Sequence, residues 1–262
     1  MCVRQPAVAG QFYPASAGEL LWTIERLLDN ADGTDWEAPP KALIVPHAGY
    51  VFSGPVAASG YRQLQPFRNI YRRVILLGPS HHVAFNGLAA SSADYFETPL
   101  GEIPVDTGTI GRLLEEEDVA VIDAAHIQEH SLEVHLPFLQ VVVDKFTIVP
   151  LTVGRCTRHR IATLLEAVWG GPETLIVISS DLSHYHPDNE ARMLDADTSR
   201  MIEQLDAEPL TGERACGCAG IGGLIELARV HGLHIDTVDL RNSGQIVGRP
   251  GHVVGYGAYI CH

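Results

Sequence analysis

The stretch Val74-Ile-Leu-Leu-Gly-Pro-Ser-His-His82 decides how this chain is read. Four apolar residues, two of them β-branched, make the pattern of a short buried strand, and Gly78-Pro79 stops it. Two histidines, His81 and His82, follow the stop at once. In an open α/β sheet, ligands bind just beyond the carboxyl ends of the strands. The arrangement recurs twice. Ala42-Leu-Ile-Val45 runs into Pro46-His47-Ala-Gly-Tyr50, and Leu175-Ile-Val-Ile178 runs into Ser179-Ser-Asp181-Leu-Ser-His184. Three buried strands that each deliver histidine at the end where sites are built point to a metal or acid–base centre.

Working outward, Ser16 is placed to cap a helix, with Glu19 completing a capping box and Leu20, Leu21, Ile24, Leu27 and Leu28 forming its apolar stripe. After Gly49 to Pro55 comes a small-residue helix over 56–64 that can approach a sheet closely. Further helices are predicted over 107–117, 158–169, 191–204 and from the glycine-rich turn at 217–223 to 230. Strands are predicted over 119–122, 146–153, 234–240 and 253–260, with a turn at 98–101. The alternation predicts an α/β fold, a three-layer α/β/α domain with a mixed, mostly parallel central sheet. With no internal repeat or long linker, residues 1–262 are expected to form a single domain.

The balance of 18 basic against 32 acidic side chains argues against sequence-independent nucleic-acid or anionic-membrane binding, both of which need a basic patch. The local cluster Arg68, Arg72 and Arg73 reads as a solvated loop. No apolar run is long enough to span a bilayer, and the opening residues carry no secretion pattern, so a cytoplasmic location is expected. Cys2, Cys156, Cys216, Cys218 and Cys261 are odd in number and scattered, which suits free thiols with metal ligation as the option to test.

Each candidate residue has a plain structural alternative. His47 suits either a satisfied core histidine or a ligand converging with His81 across the strand ends. His81 and His82, being adjacent, point to opposite faces of an extended segment. Glu129-His130-Ser-Leu-Glu133-Val-His135-Leu-Pro137 is a second cluster, close to His126. A helix would put His130 and Glu133 on one side; an extended chain would put Glu133 and His135 on one face. The spacing is not that of a zincin helix. Asp181 and His184 suit acid–base work near neutral pH, or else Asp181 simply caps a turn. No Gly-x-Ser-x-Gly elbow surrounds Ser179 or Ser180, against a serine hydrolase. Cys216 and Cys218 lie at a helix entrance, which favours metal ligation or reactivity. The glycines there follow no clear strand and lack the Walker lysine, against nucleotide binding.

Taken together, Gly10-Gln-Phe-Tyr13, Pro46-His-Ala-Gly-Tyr50, Leu77-Gly-Pro-Ser-His-His82, Glu129 to Pro137, Ser179 to His184 and Cys216-Gly with Ile221-Gly222 resemble the Memo family over nearly the whole chain. That family comprises the mediator of ErbB-driven cell motility and prokaryotic relatives known as AmmeMemoRadiSam system protein B, found beside a radical-SAM partner. The resemblance implies a fold like that of class III extradiol dioxygenases, which hold non-haem Fe(II) with two histidines and a glutamate. It implies His47, His81 and Cys216 as metal ligands, with iron (Fe2+) foremost and copper or zinc as alternatives. Asp181, His184 and His135 would be the catalytic group, with His184 as base. His82, His130, Glu133 and Tyr50 would line the substrate pocket. Cysteine in place of the dioxygenase glutamate softens the site, so ring cleavage does not follow from the fold. Three functions are therefore expected in order: a metal-dependent redox enzyme acting on a small molecule or peptide, a non-catalytic metal-, peptide- or partner-binding module, and a zinc hydrolase.

Overall fold

The computed structural model describes residues 2–249 and 251–262. Its strands are β1 (Val3–Arg4), β2 (Ala42–Val45), β3 (Arg73–Pro79), β4 (Leu88–Ala90), β5 (Tyr95–Thr98), β6 (Gly101–Pro104), β7 (Val119–Val121), β8 (Thr147–Val153), β9 (Thr174–Ser179), β10 (His184–Pro187), β11 (Ile235–Asn242) and β12 (His252–Cys261). The main sheet runs β10-β12-β2-β9-β3-β8-β4-β7, with β11 also paired to β12, while β1, β5 and β6 make a small separate sheet. The middle four strands, β2, β9, β3 and β8, are mutually parallel; β12 and β4 join them antiparallel. This is the mixed α/β sheet expected from the strand–helix alternation.

The parallel strands read as unbroken apolar runs because both of their faces are covered. Residues Ala42–Val45 and Leu175–Ile178 are fully buried. In the register of β2 on β9, Val45 lies opposite Ser179 and Ile44 opposite Ile178, so Val45 and Ile178 face opposite sides of the sheet. Helix Tyr50–Arg62 covers the Val45 side: a Cβ added to Gly60 would sit 2.7 Å from Val45 Cγ1. Helix Cys218–His231 covers the other side, with Gly220 against Ile178. Helices on both faces of one sheet complete the three layers.

Local differences from the predicted elements have simple causes. The helix expected from Val56 already begins at Tyr50. Pro55 is tolerated because the carbonyl left without a donor, four residues back, belongs to the exposed Val51. Ser16 occupies the N-cap of helix Ala17–Asp29 but makes no side-chain cap bond, so the capping box is not formed. Arg68, Arg72 and Arg73 are not one solvated loop: Arg73 opens β3 and pairs with Asp106, Arg68 pairs with Asp144, and Arg72 bonds the Tyr71 carbonyl. The Glu129–Pro137 segment is neither one helix nor extended; a turn leads into a 3-10 turn at Glu133–His135 and then helix Leu136–Val142. Strand β10 was not foreseen. Its histidine-rich, half-exposed sequence carries no apolar pattern.

Candidate metal centre

The ends of β2 and β3 and the turn before helix Cys218–His231 meet at one edge of the sheet. They bring a ligand atom each from His47, His81 and Cys216 to within 4.8 Å of one another. His47 is buried and Cys216 half-buried, whereas the His81 ring is about a third exposed, so the group is sealed on one side and open on the other.

Hydrogen bonds fix which nitrogen each imidazole offers. The Ser179 hydroxyl donates to the Ser131 carbonyl at 2.6 Å, so toward His47 it can only accept, and it does so from Nδ1–H at 2.6 Å. The Nε2 lone pair of His47 is thereby left facing Cys216 Sγ, 3.4 Å away. The same logic applies to His81, whose Nδ1–H donates to Glu129 Oε1 at 2.8 Å while its backbone N–H binds Oε2 at 2.6 Å. Orientation of a ligand imidazole by a carboxylate or a hydrogen-bonded oxygen on its far nitrogen is how proteins prepare metal sites. The spacing also fits an ion: ligands about 2.0 and 2.3 Å from a tetrahedral metal lie about 3.5 Å apart.

Electrostatics follow from burial. His47 titrates well below the usual imidazole range, because burial and then the neighbouring His81 and His130 oppose a positive charge. Burial pushes the Cys216 thiol up to about 12, and the Asp181 carboxylate adds to the shift. A metal entering here must therefore displace the thiol proton. Burial raises Glu129, but hydrogen bonds from the His81 ring and backbone and from Ser131 N–H outweigh it and bring it down to about 2. It stays a carboxylate.

The remaining predicted residues fall into two groups. His130 stacks on His81 with ring centroids 4.7 Å apart and meets His47 edge-on at 5.6 Å; Phe12 and the exposed His82 pack against it. His184 is half-buried on β10, with its pKa lowered by burial, partly offset by a hydrogen bond to the Leu182 backbone. Asp181 does not cap a helix. Its Oδ1 accepts the His47 backbone N–H at 2.8 Å, which holds that residue's main chain, and burial raises it to about 7. Three others are turned to packing. Tyr50 donates its hydroxyl to the Val134 carbonyl at 2.7 Å. Glu133 is wholly buried, pairs with Arg4, and accepts from the Tyr13 hydroxyl and the backbones of Ala7 and Val8. His135 lies buried near Tyr61, its Nε2 without a hydrogen-bond partner, and burial lowers it to about 3.

Sequence reasoning missed Glu129, Ser179 and Ser131 as the groups that set the imidazoles. In the sequence Ser179 reads only as a possible nucleophile; a serine closing the strand next to the one that ends in Pro46-His47 is the available signal. Two adjoining hollows, of about 230 and 500 Å³, open beside the centre and share Pro79, Val153, Gly154, Arg155 and Cys216. Cys156 and Cys218 line the smaller one.

Fold and site thus define an α/β protein with a two-histidine, one-cysteine group at the carboxyl edge of its parallel strands. The model of the Memo-like protein family matches residues 4–260, and the chain belongs to that family. It is 39% identical to a MEMO1 family protein of Aeropyrum pernix, covering 98% of this chain and 99% of that one. A MEMO1 family protein of Aquifex aeolicus is 37% identical, with 98% of each chain covered. The crystal structure of JW3007 from Escherichia coli K12 superposes with a TM-score of 0.53 at 13% identity, covering 82% of this chain and 98% of that one, and so shares the fold. No helix among the described residues is long and apolar enough to cross a membrane.

Proposed function

We propose that this protein is a metal-dependent redox protein in which His47, His81 and Cys216 hold a non-haem iron ion. The supporting observation is the tautomer control: Ser179 and Glu129 each take the Nδ1–H of one histidine and leave an Nε2 lone pair for a metal. Buried polar atoms are usually hydrogen-bonded, and His135 Nε2 is an exception in this molecule. The Nε2 of His47 has only a thiol, a weak one. An ion bound here supplies one-electron chemistry and a Lewis-acid position. The chain's own residues do the rest. Buried His47 excludes water from one side, exposed His81 leaves the other accessible, and Asp181 fixes the main chain of His47. His184, kept neutral near pH 7 by burial, serves as proton acceptor.

The thiolate makes copper(I) and zinc the competing ions. The test is metal content and oxidation state of protein purified without oxygen, beside Cys216→Ser and His81→Ala. Near-stoichiometric iron that both variants lose is the expected result. Failure to take up Fe(II), Cu(I) or Zn(II) on reconstitution overturns the proposal.

A further inference from the structure

Arg155 lies two residues past the end of β8 and lines both hollows beside Cys216. Its main chain is pinned: its N–H donates to the Phe85 carbonyl at 2.8 Å, and its carbonyl accepts from Gly87 N–H at 3.0 Å. Among the described residues, nine of the other fifteen arginines pair with carboxylates and six, like Arg155, do not. What sets Arg155 apart is its place in the wall of both hollows. Among the described residues, the exposed guanidinium of Arg155 has no ion pair, although acidic side chains outnumber basic ones by 32 to 18. It is the one formal charge lining the larger hollow, whose other walls mix apolar side chains (Pro79, Val83, Phe85, Val153) with the polar groups of Ser80, Asn86 and Cys216.

We infer that Arg155 is the recognition residue of this cleft, and that the cleft takes a small organic carboxylate whose other end lies toward Cys216. A guanidinium binds a carboxylate through two parallel N–H···O bonds, a geometry that fixes orientation as well as charge. One cation with no second beside it matches a single negative charge; a phosphate dianion would keep one charge uncompensated. A hollow of about 500 Å³ is the size of a small-molecule site. The inference rests on the proposed metal centre only for the identity of the reacting end. The grip of Arg155 on an anion is separable from it.

The test is calorimetric titration of the full-length protein, as purified, with benzoate and with its neutral counterpart benzamide. Wild type, Arg155→Met and Arg155→Lys are compared, with metal content read on the same samples. Expected is binding of benzoate but not benzamide, weakened by about tenfold or more in Arg155→Met and partly kept in Arg155→Lys, at unchanged metal content and thermal midpoint. Equal binding of the two probes, benzoate affinity indifferent to Arg155→Met, or inorganic phosphate displacing benzoate at equal concentration would each overturn it. Benzoate binding through Arg155 in protein that takes up no metal even on reconstitution would remove the iron proposal and leave this one standing.

Discussion

At the scale of single residues, the site is governed by groups that never touch an ion. Ser179 and Glu129 each spend an oxygen on an imidazole N–H, and the donor nitrogens are set as a result. Losing such a partner typically costs 10–100-fold in metal affinity. Ser179→Ala and Glu129→Gln are therefore expected to weaken binding by about that factor in a chelator competition, with the circular-dichroism spectrum unchanged. Affinities within a factor of about two of wild type would show that the rings orient themselves. Arg4 and Glu133 are a different case, because both are buried and each satisfies the other. Arg4 also donates to the carbonyls of His126 and Glu129, which ties β1 to the segment that supports His81. Arg4→Met strands a buried carboxylate and should cost about 3–5 kcal/mol in urea denaturation. A loss below about 1 kcal/mol would mean that Glu133 simply takes up a proton.

Among the elements, the deciding contacts are glycines where backbone meets backbone. A Cβ on Gly217 would lie 2.5 Å from the Ser179 carbonyl oxygen and 2.7 Å from Ser180 Cβ. The turn carrying Cys216 can approach β9 only because that atom is missing. Gly217→Ala should therefore lower metal affinity. Gly60→Ala, which would crowd Val45 on the helix Tyr50–Arg62 side, should cost about 1–3 kcal/mol of stability with metal affinity close to wild type. Parallel measurement of unfolding and metal binding on the two variants distinguishes them, and equal effects on metal affinity would refute the distinction. The strands and the histidines beyond them were legible in the sequence, because doubly covered strands must be apolar throughout and their ends are marked by Gly and Pro. The partners of those histidines were not legible. Ser179 reaches His47 through strand order and Glu129 reaches His81 through a turn distant in sequence, which no local pattern encodes.

Across the whole molecule, acid sensitivity has an identifiable source at His126. This ring is buried between β4 and β8, with Nε2–H donating to the Ala89 carbonyl and Nδ1 accepting from Thr152. Burial lowers it from 6.5 to about 4, with Arg4 reinforcing the shift and Asp123 and Glu129 opposing it. Above pH 6.5 it is neutral in both folded and unfolded chains, so its full contribution is present there. As pH falls from 6.5 toward about 4, the unfolded chain takes up a proton that the fold refuses, and stability drops by about 3 kcal/mol. Urea midpoints measured across this range should fall, and His126→Gln should flatten the slope. An undiminished slope would assign the loss to other groups.

The placing of His47, His81 and Cys216 in separate parts of the chain has one more effect. An ion gripping all three is a staple between segments that are far apart in the unfolded polymer, where they do not present a common site. By mass action its occupancy would then add to folding free energy, about 2.7 kcal/mol when free ion stands a hundredfold above its dissociation constant. The melting temperature would become a gauge of available metal, and chain lifetime in a cell would rise and fall with that supply.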